Sequence, residues 1–265
     1  MSSTLDSYKI SAKYYDKAYT AKKDLNDLPF YVDLAKRMGG PVLELACGTG
    51  RVLLSIARKG IAIHGVDNSV PMLNTLRQNL QQEPKDVREL VSAFVGDIRT
   101  FRSNREYPLV IIPFRPLQHM YTVEDQVAAL TTAAFHVEEN GILAFDVFFP
   151  RFDMIASGIG EERFELEWQV APGKVMRRCF RKESVDKINQ NFTATFIFRT
   201  YQDGKLIQEE TEPLKMSYYT YPHLRALFLL AGLEVVEEYG SFAGTPLDNS
   251  AEQMIFLLKR TMKPA

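Results

Sequence analysis

Four positions within ten residues could hold a ligand against bare backbone. Pro41 to Gly50 reads PVLELACGTG, so Glu44, Ala46, Gly48 and Gly50 form the pattern E-x-A-x-G-x-G. Gly48 and Gly50 carry no Cβ to block close approach. Arg51 to Lys59 (RVLLSIARK) has helical spacing and Gly60 stops it, so a helix N-terminus with unpaired N–H groups should follow the turn. That combination suits a nucleotide-like ligand. A dinucleotide fingerprint, G-x-G-x-x-G/A, would need a small residue where Leu53 stands, which disfavours a nicotinamide or flavin oxidoreductase.

Three further places carry chemistry. Asp67 closes the apolar run Ile61 to Val66, and a carboxylate there can accept from both hydroxyls of a ribose. Gly96-Asp97-Ile98 follows another short run, Val91 to Val95. Arg115-Pro116-Leu117-Gln118-His119-Met120 follows Leu109 to Phe114 (LVIIPF), which Pro113 closes. His119 is the candidate general base, since imidazole titrates near working pH. Arg115, with Gln118 beside it, could hold an acceptor carboxylate. His64 within a strand and His136 on a helix read as structural, and His223 has no discernible role. Asp146, in the apolar ILAFDVFF, needs a partner in the core or points into a crevice.

These residues need a parallel sheet to position them. Pro41–Leu45, Ile61–Val66, Val91–Val95, Leu109–Phe114 and Ile142–Phe149 read as buried strands. Between them lie helices over 51–59, 70–80 and 122–139. Ser69 is the N-cap of the second, with Pro71 in its first turn. Asn140-Gly141 is expected to end the third as a left-handed cap. Asp27 to Arg37 is a helix ending at Gly39-Gly40. After Pro150 the pattern alternates with period two from 161 to 219. Turn signals at Ala171-Pro172-Gly173 and Gln202-Asp203-Gly204 divide it, predicting about four antiparallel strands. A helix over 222–230 and strands over 234–239 and 254–259 complete the chain. The domains read as a core of residues 1–155 and 220–265 with a sheet of residues 156–219 inserted over the acceptor site.

A chain of 265 residues can bury one sizeable core with a subdomain. A net charge of -1 argues against nucleic acid or anionic membrane as partner. No apolar stretch is long enough to cross a bilayer, and the first residues carry no signal-peptide h-region. Two cysteines, Cys47 and Cys179, give neither a disulfide framework nor metal-ligand spacing. A reducing, cytoplasmic location is the expectation.

The turn at 44–50, Asp67 and Gly96-Asp97-Ile98 together resemble the class I S-adenosylmethionine-dependent methyltransferases. Their first motif is usually [ED]-x-G-x-G-x-G, and Ala46 replaces its first glycine here. The resemblance implies a Rossmann-like α/β fold, with a seven-stranded sheet flanked by helices and ending in a reversed β-hairpin. It implies S-adenosylmethionine as donor and S-adenosylhomocysteine as product. Glu44, Ala46, Gly48, Gly50 and Pro113 would hold the cofactor, Asp67 its ribose, and Asn68, Met72, Asp97 and Ile98 its adenine. Y-D-x-x-Y at Tyr15–Tyr19 is similar to the N-terminal lid of amino-sugar N,N-dimethyltransferases. Tyr15 would then touch the cofactor and Tyr19 would face the transfer centre. A small-molecule acceptor is implied, an amine ahead of an oxygen nucleophile. An RNA or protein methyltransferase and a non-catalytic cofactor-binding protein are the other readings, and oligomeric state is left open.

Overall fold

The computed structural model describes residues 10, 11, 14 and 26–261. Tyr15 and Tyr19 lie outside the described residues. The chain divides into two compact units. One holds residues 26–150 and 218–261, and the other holds 151–217 with Ile10, Ser11 and Tyr14.

The first unit is a seven-stranded sheet between helices. Its strands are β1 (Val42–Leu45), β2 (Ile63–Asp67), β3 (Val91–Val95), β4 (Tyr107–Ile112), β5 (Val137–Phe148), β10 (Leu233–Tyr239) and β11 (Gln253–Arg260). The order is β10-β11-β5-β4-β1-β2-β3. β2, β3, β4 and β5 pair in parallel around β1, while β11 runs antiparallel to both β5 and β10. All four residues of β1 are buried, as a central parallel strand requires. On one face Val42, Leu109 and Ile111 pack with Tyr31, Leu53 and Leu73. These come from α1 (Asp27–Met38), α2 (Arg51–Ala57) and α3 (Val70–Gln81). On the other face Leu43, Val110 and Phe145 pack with Leu130 and Phe228, from α5 (Val123–His136) and α7 (Tyr221–Leu230). A short α4 (Lys85–Glu89), unmarked by periodicity, precedes β3. The strand order reverses between β1 and β4, and in open α/β sheets ligands bind outside the carboxyl ends at that point.

One boundary departs from expectation. α5 stops at His136 and the chain passes straight into β5, and Gly141 is not left-handed. A Cβ there would meet the Tyr107 carbonyl oxygen at 2.9 Å and the Pro108 carbonyl oxygen and Glu138 nitrogen at 3.0 Å. Gly141 therefore allows β4 and β5 to close up where their register shifts.

The second unit carries a four-stranded antiparallel sheet of β6 (Glu162–Ala171), β7 (Lys174–Asp186), β8 (Asn191–Gln202) and β9 (Lys205–Ser217), in sequential order, preceded by α6 (Phe152–Ala156). Asp203 and Gly204 are both left-handed between β8 and β9, at φ 50° and 81°, as a two-residue hairpin demands. Leu166, Trp168, Met176 and Phe198 form its core, and the Tyr14 ring lies 6.1 Å from those of Trp168 and Phe198. The amides of Ile10 and Ser11 donate to the buried Glu212 carboxylate at 2.9 and 3.3 Å. Among the described residues no helix is long and apolar enough to cross a membrane.

Candidate functional site

The glycine turn leaves β1 through three left-handed residues, Ala46 at φ 62°, Gly48 at 55° and Gly50 at 86°. The two glycines do different work. A Cβ on Gly50 would lie 2.2 Å from Leu76 Cδ1, so Gly50 is fixed by packing against α3. Among the described residues a Cβ on Gly48 would meet nothing within 4 Å, so its backbone leaves room for a ligand to come close. Cys47 donates its amide to the Val66 carbonyl at 3.0 Å, tying the turn to β2, and burial pushes its thiol up. Ala46 carries a Cβ in a conformation that costs roughly 1 kcal/mol for an L-residue. Ala46→Gly is therefore expected to raise the melting temperature by about 1–3 °C, measured by thermal unfolding. No rise would mean that the turn holds Ala46 without strain.

Asp67, at the end of β2, joins the turn to the helix after it. One carboxylate oxygen accepts from the Gly48 amide at 2.8 Å, the other from the Ser69 amide at 2.7 Å. The N-cap of α3 is Ser69, whose hydroxyl accepts from the Met72 amide at 3.4 Å. Asp67 is thus free of the capping role, and each oxygen keeps acceptor capacity for a vicinal diol. Burial pushes its carboxyl up, and the two amide bonds oppose that. Glu44 is 2% exposed, and its Oε2 is buried without a hydrogen-bond partner among the described residues. Burial raises it well above the usual carboxylate range. The Arg51 guanidinium counteracts this, while Asp67 and Asp27 add to it. An orphaned buried acceptor is costly, and a cationic or N–H group of a ligand would satisfy it.

On the far side of β2, Asn68 helps to hold the Asp97 carboxyl below its usual range. Asp97 accepts from the Arg99 amide and Nε, both at 2.9 Å, and from Arg99 Nη2 at 2.6 Å. Arg99 Nη1 reaches Asp125 at 2.9 Å. These bonds, Arg99's first, hold the Asp97 carboxyl below the usual range. Sequence reading missed Arg99, although its place two residues past an aspartate suits an Asx turn. Met72 and Ile98 are each 6% exposed.

The loop after β4 is strained. Pro113 is buried, and Phe114 and Arg115 are consecutive left-handed non-glycine residues at φ 67° and 71°. They lead into a 3₁₀ turn, Pro116–His119. Arg115 donates from Nη2 to Gln253 at 3.0 Å and lies 5.6 Å from the Phe148 ring centre. Its Nε is buried without a partner among the described residues. Gln118, expected beside an acceptor, is fully buried, and its carbonyl accepts from the Phe148 amide at 3.1 Å. That side chain supplies the acceptor needed by the last amide of β5. His119 ends the 3₁₀ turn and is half-buried. The Tyr219 hydroxyl donates to the Leu117 carbonyl at 2.6 Å, steadying the same turn. Asp146 is hydrogen-bonded inside the core, accepting from the Tyr31 hydroxyl and the Phe114 amide, each at 2.7 Å. His64 pairs with the Tyr107 hydroxyl at 2.9 Å. His136 accepts the Ser103 amide at 3.1 Å.

Residues 42–141 match the family described as "Methyltransferase domain". The cypemycin N-terminal methyltransferase of Streptomyces sp is 25% identical over 230 residues, which is 84% of each chain. The dTDP-3-amino-3,4,6-trideoxy-alpha-D-glucopyranose N,N-dimethyltransferase of Streptomyces venezuelae is 26% identical over 220 residues, 77% of this chain and 82% of that one. In fold, the CcbJ methyltransferase of Streptomyces caelestis superposes with a TM-score of 0.82 at 23% identity, covering 97% of this chain and 98% of that one. Strand order and glycine turn agree with the match of residues 42–141, and the chain carries a methyltransferase domain of the class I S-adenosylmethionine-dependent type. Within it, the chain is related to natural-product N-methyltransferases, including amino-sugar N,N-dimethyltransferases. S-Adenosylmethionine is the methyl donor that this class of domain implies. The residues present fit that donor: Gly48 leaves room for it, Asp67 offers acceptors for a ribose, and Glu44 lacks the donor that a cofactor ammonium would provide.

Proposed function

We propose that this methyltransferase acts on an amino group of a small molecule. The observation that carries the reading is the relation, over more than three quarters of the chain, to one enzyme named as an N-terminal methyltransferase and one named as an amino-sugar N,N-dimethyltransferase. The net charge of -1 supports a small acceptor over RNA. Both cysteines are buried and unpaired, in keeping with action in a reducing, cytoplasmic setting.

When bound, S-adenosylmethionine supplies an electrophilic methyl on a sulfonium. In this reading the protein contributes orientation and exclusion of water. Glu44, Gly48 and Asp67 hold the donor, with Asn68, Met72, Asp97 and Ile98 along the adenine. Arg115 orients a polar group of the acceptor, and His119 receives or directs the proton that an ammonium acceptor gives up. In this reading Tyr15 belongs to donor recognition and Tyr19 to acceptor recognition.

Transfer of labelled methyl from S-adenosylmethionine to a panel of dTDP-amino sugars, peptides with free N-termini, alcohols and tRNA tests the reading. Amines should be labelled and the other classes not. Labelling of tRNA or of alcohols alone would replace the proposed acceptor class. With a labelled amine in hand, His119→Asn should lower kcat by roughly a hundredfold and leave the S-adenosylhomocysteine Kd unchanged. Equal turnover by wild type and His119→Asn would remove His119 from the mechanism.

A further inference from the structure

We infer that Asp146 is a positioning residue, whose carboxylate, tethered by Tyr31, holds the left-handed Phe114–Arg115 step and with it the acceptor-side loop after β4. The inference builds on the methyltransferase assignment and assigns work to a residue outside the motifs.

The geometry is a three-way junction. Asp146 is on β5 and 1% exposed. Its Oδ1 accepts from the Tyr31 hydroxyl of α1 and from the Phe114 amide, both at 2.7 Å. A single buried oxygen thus links a helix, a strand and the loop. That loop needs a restraint, because two successive non-glycine residues with positive φ cost roughly 1–3 kcal/mol each and persist only where the surroundings over-determine them. Arg115, the second of them, opens the 3₁₀ turn that ends at His119. Moving the Phe114 amide would therefore move Arg115 and His119 together. The same helix face also reaches the cofactor side, since Asp27, one helical turn before Tyr31, is paired with Arg51 just after Gly50. α1 thus braces the glycine turn with one residue and the acceptor-side loop with the other.

The charged groups around Asp146 make the device sensitive to pH. Tyr31 and Asp27 face it from α1, and Arg115 faces it from the loop. Glu44 adds to the negative field at Tyr31. Burial, the leading cause, pushes Asp146 up to about 6, and Arg115, Tyr31 and the Phe114 amide oppose that. Above that pH the carboxylate is ionised and its bonds to the Phe114 amide and Tyr31 are charge-assisted. Below it the bonds are weaker and the loop loosens. For global stability the sign is the opposite. A carboxyl whose folded pKa is raised contributes stability that is present below the unfolded value and lost as pH rises through about 6. The ionised form is thus kept at neutral pH at a cost to the fold, which a purely structural carboxyl would not require.

Hydrogen–deuterium exchange of the full chain, followed on peptides covering 112–120 between pH 5 and 8 and corrected for intrinsic rates, tests the inference without turnover. Wild type should show protection rising through one step near pH 6. Asp146→Asn retains an acceptor oxygen, so it should protect the loop at every pH without a step, and melt at a higher temperature than wild type at pH 8. Asp146→Ala should raise loop exchange at pH 8 by roughly tenfold or more. Tyr31→Phe, which removes a donor to the carboxylate, should move the step to higher pH. A wild-type loop without a step, or a step that survives in Asp146→Asn, would overturn the proposal. Should Asp146→Ala not fold, the wild-type, Asp146→Asn and Tyr31→Phe profiles still decide it.

Discussion

Asp67→Ala is expected to weaken S-adenosylhomocysteine binding by about 3 kcal/mol, roughly a hundredfold in Kd, at pH 7.5. Two losses add. In the proposed site a carboxylate that accepts from two ribose hydroxyls disappears, and hydrogen bonds to a charged acceptor are the stronger kind. The same substitution strips the Gly48 and Ser69 amides of their acceptor at 2.8 and 2.7 Å, so the turn that the ligand lies against loses its tie to β2. Asp67→Asn separates the two effects. It keeps one acceptor oxygen but sets an amide nitrogen against one of those two N–H groups, so an intermediate loss is expected. In wild type, affinity should also fall as pH drops through the raised pKa of Asp67, because the protonated carboxyl has fewer acceptor sites. The Asn variant should lack that limb. Calorimetric titration of wild type and both variants reads all three outcomes, with NADH as the ligand expected not to bind. A Kd for Asp67→Ala within twofold of wild type would remove Asp67 from the site.

Much of this candidate site was legible because its residues are close in sequence to the elements that aim them. Glu44, Gly48 and Gly50 follow from one apolar strand and one turn. Asp67 follows from the next strand, where a carboxylate after a buried run has nowhere to point but the carboxyl end. The braces were not legible. Tyr31 and Asp146 are 115 residues apart, and Asp27 and Arg51 are 24 apart on different helices. No local pattern marks such pairs, since each is made only when the sheet closes. The loop after β4 misled for a related reason. Gln118 is polar in a segment expected to face a ligand, yet its side chain accepts from the Phe148 amide. The left-handed Phe114 and Arg115 carry no glycine signal, because strain there is borne by Asp146 and not relieved by residue type. The end of α5 was overrun because apolar spacing continues through Val137 into a strand, and period alone does not distinguish a buried strand start from one more helical turn.

Arg51→Met should cost about 3–5 kcal/mol of stability, a drop of roughly 6–15 °C in melting temperature for a chain of this size. Asp27 has no exposed surface, and both its oxygens are paired with Arg51, one at 3.0 Å from Nη1. Removing the cation leaves a buried carboxylate uncompensated, the costly half of a buried pair. Arg51 also lies 5.0 Å from the centre of the Phe114 ring and is the group that opposes burial at Glu44. Its loss therefore reaches three places at once: α1, the strained loop and the orphaned acceptor of the cofactor site. The pH dependence has a definite sign. Glu44 is already held well above its usual range, and without Arg51 it goes higher, so the destabilisation should be small where Glu44 is protonated and grow as pH rises through its raised pKa. The double variant Asp27→Leu/Arg51→Met removes both charges and should recover most of the loss, since a buried ion pair replaced by apolar residues is often neutral. Thermal unfolding of the three proteins at two pH values gives the coupling directly. If the double variant melts no higher than Arg51→Met, the arginine stabilises through its stacking on Phe114 and not through Asp27. The link from α1 to the glycine turn would then rest on packing alone.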